Sequence, residues 1–421
     1  MNEVNDILRI LNGWWKDHSV SESLVREHKR HDFDRIVQMI NYRPTIILSG
    51  LRRVGKTTIL YQIIAMLLKN VNPKNIVFFS FDKKASEITE ILESYQEITN
   101  IDWKKEKIYV FLDELTKLED WAVKLKLIYD SFPNIKFFVS SSSSLNIEEE
   151  AVKNLAGRYF IMNLKPLSFQ EFLELKNKKE LVKNPVLFCD EIKKEFKKYL
   201  LRGFPEIVEW EDELLIKDYL RTTILDKIVS SDLPSRFKNV NKGFLLDLLK
   251  MFYAEPGMYL DYDHLSKDLK VSKKNLLKHI YYLEYSYLIR IVRNFRVSTL
   301  SSVRKLQRAY AYWWTLAYCY SDNNDKIYEN IIASYYDAKN YWRKDNKEID
   351  FIILKDKNMI PVEVKNKDNL NNHDTKNMIY FLKKYNLKEG YIIYNGEEEE
   401  EIIDAFKIKK IPFWKALLFP F

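Results

Sequence analysis

Glycine and proline are scarce in this chain: 9 and 11 of them among 421 residues. That excludes long flexible linkers and Pro-rich spacers. Cysteine is scarcer still. Cys189 and Cys319 stand far apart in no ligand spacing, which excludes a disulfide framework and fits a reducing interior. The six histidines, His18, His28, His31, His264, His279 and His373, form no cluster, which argues against zinc. No apolar run reaches the length of a membrane span. The opening Met1-Asn2-Glu3-Val4-Asn5-Asp6 is acidic and polar, unlike a signal peptide, so a cytoplasmic protein with no membrane partner is expected. A strong charge bias is missing too. The 68 basic and 60 acidic residues leave a net +8, mild for this length and no argument by itself for nucleic acid. What is present is 46% hydrophobic residues, so the chain is globular, with two or three domains expected from its length.

Residues Gly50-Leu51-Arg52-Arg53-Val54-Gly55-Lys56-Thr57 follow the apolar run Thr45–Ser49 and precede an apolar helix pattern at Ile59, Leu60, Ile63, Ile64, Leu67 and Leu68. This is G-x-x-x-x-G-K-[ST] between strand and helix, the phosphate-binding loop. The glycines let the backbone curl so that its N–H groups face phosphates. Lys56 brings positive charge to the β- and γ-phosphates of ATP, the Thr57 hydroxyl is placed to ligate Mg²⁺, and Thr58 continues the loop into the helix. The helix start adds the positive end of its dipole.

A second signal is Ile108-Tyr109-Val110-Phe111-Leu112-Asp113-Glu114, a buried-strand pattern ending in two carboxylates. Asp113 is expected to hold Mg²⁺ through its water shell, and Glu114 to polarise the attacking water. The strands Asn75–Phe79 and Ile135–Val139 complete an alternation of strand and helix, which implies a doubly wound parallel α/β sheet. The last strand runs into Ser140–Ser144, where a hydroxyl, with Ser140 and Ser142 singled out, would sense the γ-phosphate. Arg158, in Leu155-Ala156-Gly157-Arg158, is either a charge-neutralising catalytic arginine, in its own subunit or a neighbour's, or an ordinary surface arginine.

The series G-x-x-x-x-G-K-T-T, L-D-E, a serine-rich turn, L-A-G-R, and L-K-P-L-S-F-Q-E-F-L at Leu164–Leu173 resembles the archaeal-type AAA+ ATPases, relatives of the STAND nucleotide switches. Trp14-Trp15 is similar to that family's lead-in, and Arg202-Gly203-Phe204-Pro205-Glu206 to its G-x-P element, which reports nucleotide state to a helical lid. The likeness runs over essentially the whole chain. Ser141 and Arg202 stand where relatives often carry glycine. The resemblance implies a P-loop ATPase core over 1–167 and a helical lid over 168–238. The stripe Ile216, Leu220, Ile224, Ile228 suits the lid.

Residues 239–310 read as three helices and a β-hairpin, a winged helix with Lys273–Tyr285 in the recognition position. That helix carries Lys273, Lys274, Lys278 and His279. The stretch Leu288–Tyr310 holds Arg290, Arg293, Arg296, Arg304, Lys305 and Arg308 with no acidic residue. It reads as a patch for the phosphate backbone of DNA, or as a surface that binds protein.

Residues 311–421 carry another set of carboxylates, within the element order αβββαβ. Asp350, then Glu363-x-Lys365 on the next strand, resembles the D…E-x-K arrangement of the PD-(D/E)xK nucleases. Residues i and i+2 on a strand share a face, so Glu363 and Lys365 point together. Asp350 and Glu363 would hold Mg²⁺, Lys365 would position a water, and Glu329 on the preceding helix would add a ligand or bridging contact. The acidic run Glu397–Glu401 reads as a solvated loop, and Ile411–Trp414 as a tail packed back on a domain.

These features predict an ATP-hydrolysing AAA+ protein acting on DNA, with a Mg²⁺-dependent nuclease-like C-terminal domain. The alternative is a nucleotide-operated switch or scaffold whose C-terminal domain binds nucleic acid or protein without cleaving it. A homo-oligomer or a protein partner suits either.

Overall fold

The structure, a computed structural model, describes residues 3–83, 86–142, 144–296, 306–321, 324–355 and 358–421. The chain divides into two compact units, Met1–Pro166 and Leu167–Phe421. Among the described residues no helix is long and apolar enough to cross a membrane.

The first unit is built on five parallel strands: β1 (Thr45–Ser49), β2 (Ile76–Ser80), β3 (Ile108–Asp113), β4 (Ile135–Ser141) and β5 (Tyr159–Asn163), in the order β2-β3-β4-β1-β5. Strands β1, β2 and β4 are buried along their whole length, as their near-continuous apolar runs require when helices cover both faces. The connecting helices include α2 (Lys56–Leu67), α3 (Ile88–Thr99) and α4 (Trp121–Ser131). Strand β4 lies between the strand that leads into the phosphate loop and the strand that ends in Asp113. Its serine end is thereby brought between them.

The lead-in segment finishes the sheet. Beyond helix α1 (Glu3–Leu11), the Asn12 side chain donates to the Phe78 carbonyl and accepts from the Phe78 N–H, at 2.9 and 2.7 Å. The indoles of Trp14 and Trp15 both donate to the Ile76 carbonyl. These three residues cover backbone groups of edge strand β2 that would otherwise be open to pairing. At the amino end of β4, the buried Lys136 ammonium donates to the carbonyls of Met39, Tyr42 and Pro44. Burial pulls its pKa down to about 8.

The second unit opens with α5 (Phe169–Leu175), held by a reciprocal capping box between Ser168 and Glu171. Helices α6 (Cys189–Tyr199) and α7 (Glu213–Leu220) follow. The expected stripe Ile216, Leu220, Ile224 and Ile228 is buried throughout. Gly203 sits so close to the Trp313–Thr315 segment that a Cβ there would lie 2.6 Å from Thr315 Oγ1 and 2.7 Å from Trp313 Nε1.

Next come α8 (Lys242–Ala254), β6 (Met258–Leu260), α9 (Tyr262–Asp268), α10 (Lys273–Tyr285), β7 (Ile289–Asn294) and β8 (Gln307–Ala311). Asn241, Asp261 and Ser272 cap the three helices with their side chains. The C-terminal residues then fold as α11 (Asn324–Tyr335), β9 (Asn340–Lys344), β10 (Lys347–Lys355), β11 (Asn358–Lys365), α12 (Asn372–Tyr385) and β12 (Glu389–Tyr394). This is the expected order. A hairpin follows, β13 (Glu399–Ile403) and β14 (Phe406–Pro412), before the buried helix α13 (Phe413–Leu418).

The strands on both sides of residue 311 belong to one sheet, ordered β13-β14-β12-β11-β10-β9-β7-β8-β6. The join is the parallel pairing of Arg293 and Asn294 with Asn340 and Tyr341. Residue 310/311 is therefore no break in the fold.

Of the acidic run, Glu397 and Glu398 lie in an exposed loop, while Glu399–Glu401 belong to strand β13. Glu399 and Glu401 both pair with Lys410, Glu400 with Lys407, Glu397 with Lys193 and Glu398 with Lys415. A basic strand alongside makes an acidic edge strand favourable, and the charges also blunt the sheet edge.

Replacing Asn12 with Ala leaves a buried N–H and a buried carbonyl of Phe78 without their side-chain partner. Urea unfolding should show a loss of about 2–4 kcal/mol.

Candidate functional site

The loop from Gly50 to Gly55 curls through three positive-φ residues: Gly50 at 145°, Arg53 at 66° and Gly55 at 96°. Gly50 tolerates no side chain, since a Cβ there would sit 2.2 Å from the Leu164 carbonyl oxygen. Helix α2 starts at Lys56, and its first return bond runs from Ile59 N to the Gly55 carbonyl. The amides of the preceding residues therefore have no helical acceptor. Lys56 is buried, and its ammonium donates to the Gly50 and Leu51 carbonyls at 3.0 and 2.9 Å. Leu51 and Val54 are buried, while Arg53 is exposed and Arg52 half-buried.

Arg30 is a part of this loop that the sequence reading missed. Its guanidinium donates to the Val54 carbonyl at 2.6 Å and to the Lys165 and Pro166 carbonyls. Nothing in the local pattern around Arg30 marks it, because these three carbonyls are remote in sequence.

Thr57 Oγ1 donates to Asp113 Oδ1 at 3.0 Å, joining the two expected Mg²⁺ ligands. Ser140 Oγ also donates to Asp113 Oδ1, and Ser80 Oγ to Asp113 Oδ2. Burial pushes the Asp113 carboxyl up to about 6, with the Glu114 charge adding to it. Glu114 leaves the strand in the left-handed region at φ 54°. Its N–H donates to Ser140 Oγ, and its Oε2 accepts from Ser142 N at 3.0 Å and Ser142 Oγ at 2.9 Å. Its other oxygen is 3.9 Å from the Lys56 ammonium. Both singled-out serines thus touch the carboxylate pair. Ser143 lies outside the described residues. The hard oxygen donors of Thr57 and Asp113 beside the start of a helix fit a Mg–nucleotide in kind.

Arg158 does not join this site within its own chain. It precedes β5, and its carbonyl accepts from Thr45 N at the amino end of β1. The loop leaves the other end of β1, about 13 Å away at the rise of a strand. Its side chain is half-buried and pairs with Asp130 at 2.7 Å.

In the second unit, Asp350, Glu363, Lys365 and Glu329 do come together, with two additions. Strand β10 changes register against β9 between Ile349 and Ile352, and such irregularities re-aim side chains. Asp350 Oδ2 accepts from Val364 N at 2.8 Å, and Glu363 Oε2 from Asp350 N at 3.4 Å. Lys365 Nζ is 2.6 Å from Glu363 Oε1. The additions are Arg308 and Glu348. Arg308 pairs with Glu329 at 2.8 Å and Glu348 at 3.1 Å, and stands 4.0 Å from Asp350 Oδ1. Glu329 is therefore bound to a guanidinium.

Burial pushes Asp350 well above the usual carboxylate range, with Glu363 and Glu329 adding to it. Burial likewise raises Glu363 against the pull of Lys365. Burial works against the charge of Lys365, but Glu363 and Asp350 outweigh it. The carboxylates are donors of the kind Mg²⁺ uses. Their arrangement does not fit the ion, because protein cations take the positions beside them. Among the described residues no group of three or more acidic, His or Cys side chains stands ready to hold a metal.

The predicted basic patch is divided. Arg290 is buried and pairs with Asp337 at 2.9 Å, and Arg308 is buried as above. Arg304 and Lys305 lie outside the described residues. His279 is buried, with Nε2 accepting from Asn241 N, so it is part of the core. What α10 presents outward is Lys273, Lys274, Leu277, Lys278 and Tyr281. Lys273 among these pairs with Asp263.

Residues 42–173 match the model of an AAA domain. Residues 193–326 and 326–414 match two domains of unknown function, DUF8612 and DUF4143. An uncharacterized protein of Methanocaldococcus jannaschii is 26% identical over 88% of this chain and 87% of its own length. A second from the same organism is 29% identical over 69% of this chain and 66% of its own. One from Haemophilus influenzae is 26% identical over 90% and 96%. A solved structure of C. elegans PCH-2 is matched at 15% identity and TM-score 0.25, over 68% of this chain and 67% of that one, a likeness too low to bear on the fold. The first unit, with its parallel five-stranded sheet, holds most of the stretch that matches the AAA domain model.

Ser140→Ala removes a hydroxyl bonded to both Asp113 and the Glu114 amide. Steady-state nucleotide turnover should fall by about 10- to 100-fold while nucleotide affinity changes little.

Proposed function

We propose that the chain is an ATPase, converting ATP and water to ADP and phosphate, and that it is a nucleotide-operated protein acting on DNA. The observation that carries the first part is the bonded set Thr57, Asp113, Glu114, Ser140 and Ser142 beside the phosphate loop. Loop amides and the α2 start bind the phosphate tail, and Lys56 exchanges its two loop carbonyls for phosphate oxygens. Glu114, held from behind by Ser142, orients a water toward the γ-phosphorus and takes its proton. The β,γ-bridging oxygen leaves with ADP. Mg²⁺, when bound with the nucleotide, supplies positive charge at the phosphate oxygens. Arg158 contributes only if it is supplied to a neighbouring copy.

The second part is supported by the order α8-β6-α9-α10-β7-β8 with β8 paired antiparallel to β6 and β7. We take this as a winged helix, with α10 offering Lys274 and Lys278 to phosphates. The αβββαβ elements after it are read as a nuclease-like fold that binds without cleaving. Arg308 and Lys365 among its carboxylates favour this switch reading. Metal-dependent cleavage is the second reading, favoured by Asp350, Glu363 and Lys365 on neighbouring strands.

Lys56→Ala should abolish ATP turnover and weaken binding, and Glu114→Gln should retain binding and lose turnover by about 100-fold or more. A phosphate-release assay with parallel nucleotide titration checks both, and persistent turnover in either would refute the assignment. Reversing Lys274 and Lys278 to Glu should weaken DNA association by about tenfold at low salt and flatten its salt dependence. Fluorescence anisotropy of labelled duplexes with and without ATP measures this, and unchanged binding would remove α10 from the interface.

A further inference from the structure

Arg308 stands inside the second unit on β8, paired with Tyr259 of β6 and Val292 of β7. Its side chain is 4% exposed. Every arm of the guanidinium is used: Nε donates to the Gly257 carbonyl at 2.7 Å, Nη2 to Glu329 at 2.8 Å and Nη1 to Glu348 at 3.1 Å, with Asp350 Oδ1 4.0 Å from Nη1. The rings of Tyr259, Tyr310 and Tyr341 surround it at 5.3–5.8 Å. The Tyr310 and Tyr259 hydroxyls donate to the same two glutamates. Lys365 neutralises Glu363 from the other side. A planar fork with fixed donors, boxed by aromatic faces, is held far more firmly than a hydrated surface arginine.

A divalent cation on Asp350 Oδ1 would lie within a few ångströms of this guanidinium, in a dry site where like charges repel strongly. Removing one partner from such a group leaves uncompensated buried charge.

We propose that Arg308 is the resident cation of this carboxylate cluster: the guanidinium takes the place of a divalent metal, and the cluster is complete without one. It ties β8 to α11 and β10, so the strands before and after residue 311 are locked by charge as well as by the β7–β9 pairing. The inference goes beyond the ATPase and DNA readings and does not depend on them.

The test is titration of the nucleotide-free full chain with Mn²⁺ by calorimetry, comparing wild type with Asp350→Asn. The expected result is identical titrations. A Mn²⁺ site present in wild type and lost in Asp350→Asn overturns the proposal and favours the cleavage reading instead. Thermal unfolding gives a second measure that does not need the Asp350 variant to fold: wild type should melt at one temperature in Mn²⁺ and in chelator. Arg308→Met should lower the midpoint by about 10 °C, and Mn²⁺ should recover part of that loss, since the emptied position then has hard oxygen ligands to offer. Arg308→Met as stable as wild type overturns the proposal. If Arg308→Met yields no folded protein, Arg308→Lys, which keeps the charge and loses the fork, should melt between wild type and unfolded without help from Mn²⁺. Rescue of Arg308→Lys by Mn²⁺ overturns it. Absence of ATP-dependent DNA association bears on the proposed function alone.

Discussion

A carboxylate buried at the carboxyl end of a parallel sheet is the constraint on which the first unit depends. Asp113 is expensive to hold there, and burial raises its pKa to about 6. The cost is offset by hydroxyls from three other segments: Ser80 at the end of β2, Ser140 at the end of β4 and Thr57 at the start of α2. Ser140 and Thr57 arrive because the strand order sets β4 between β1 and β3, and Ser80 because β2 pairs with β3 on its other side. The same serine that steadies Asp113 receives the Glu114 amide, and the turn beyond it holds the Glu114 carboxylate. Charge placement and sheet topology are therefore one arrangement, and the phosphate loop closes it from the side of β1.

The second unit solves a similar problem differently. Its carboxylates meet cations of the protein itself, Arg308 and Lys365, in addition to two tyrosine hydroxyls. Hydroxyls are neutral, so they leave a carboxylate its charge to offer a hard cation. A guanidinium fork leaves it satisfied. The two sites share a residue class and differ in what they have left to offer a ligand.

Much of the first site was legible because its signals are contiguous. The eight residues from Gly50 to Thr57 and the pair Asp113-Glu114 carry their geometry in local spacing, and Ser140 and Ser142 follow a recognisable strand. Ser80 and Arg30 were not legible. Ser80 ends a strand with no unusual neighbour, and Arg30 acts on carbonyls 24 to 136 residues away. In the second unit the strand period placed Glu363 beside Lys365. The same reading set Arg290 and Arg308 on a surface patch, because a run of arginines says nothing of which face each side chain takes or what waits there. Strand β6, with three residues, is too short to show a period at all. Within the acidic run, Glu399–Glu401 joined a strand, where Lys407 and Lys410 lie alongside.

The order of residues alone determined the Gly50–Thr57 loop, the strands that flank it, the carboxylate pair and the αβββαβ order as far as Tyr394. These rest on backbone periodicity and on glycine's conformational freedom, which act over a few residues. Tertiary structure alone decided that Arg158 lies at the far end of its strand from the loop, that Asn12 and two tryptophans close the β2 edge, and that Arg308 fills the second carboxylate cluster. Those outcomes depend on which charges and hydrogen-bonding groups meet after the chain has folded over itself. Electrostatic contact falls with distance through space, not with separation along the chain.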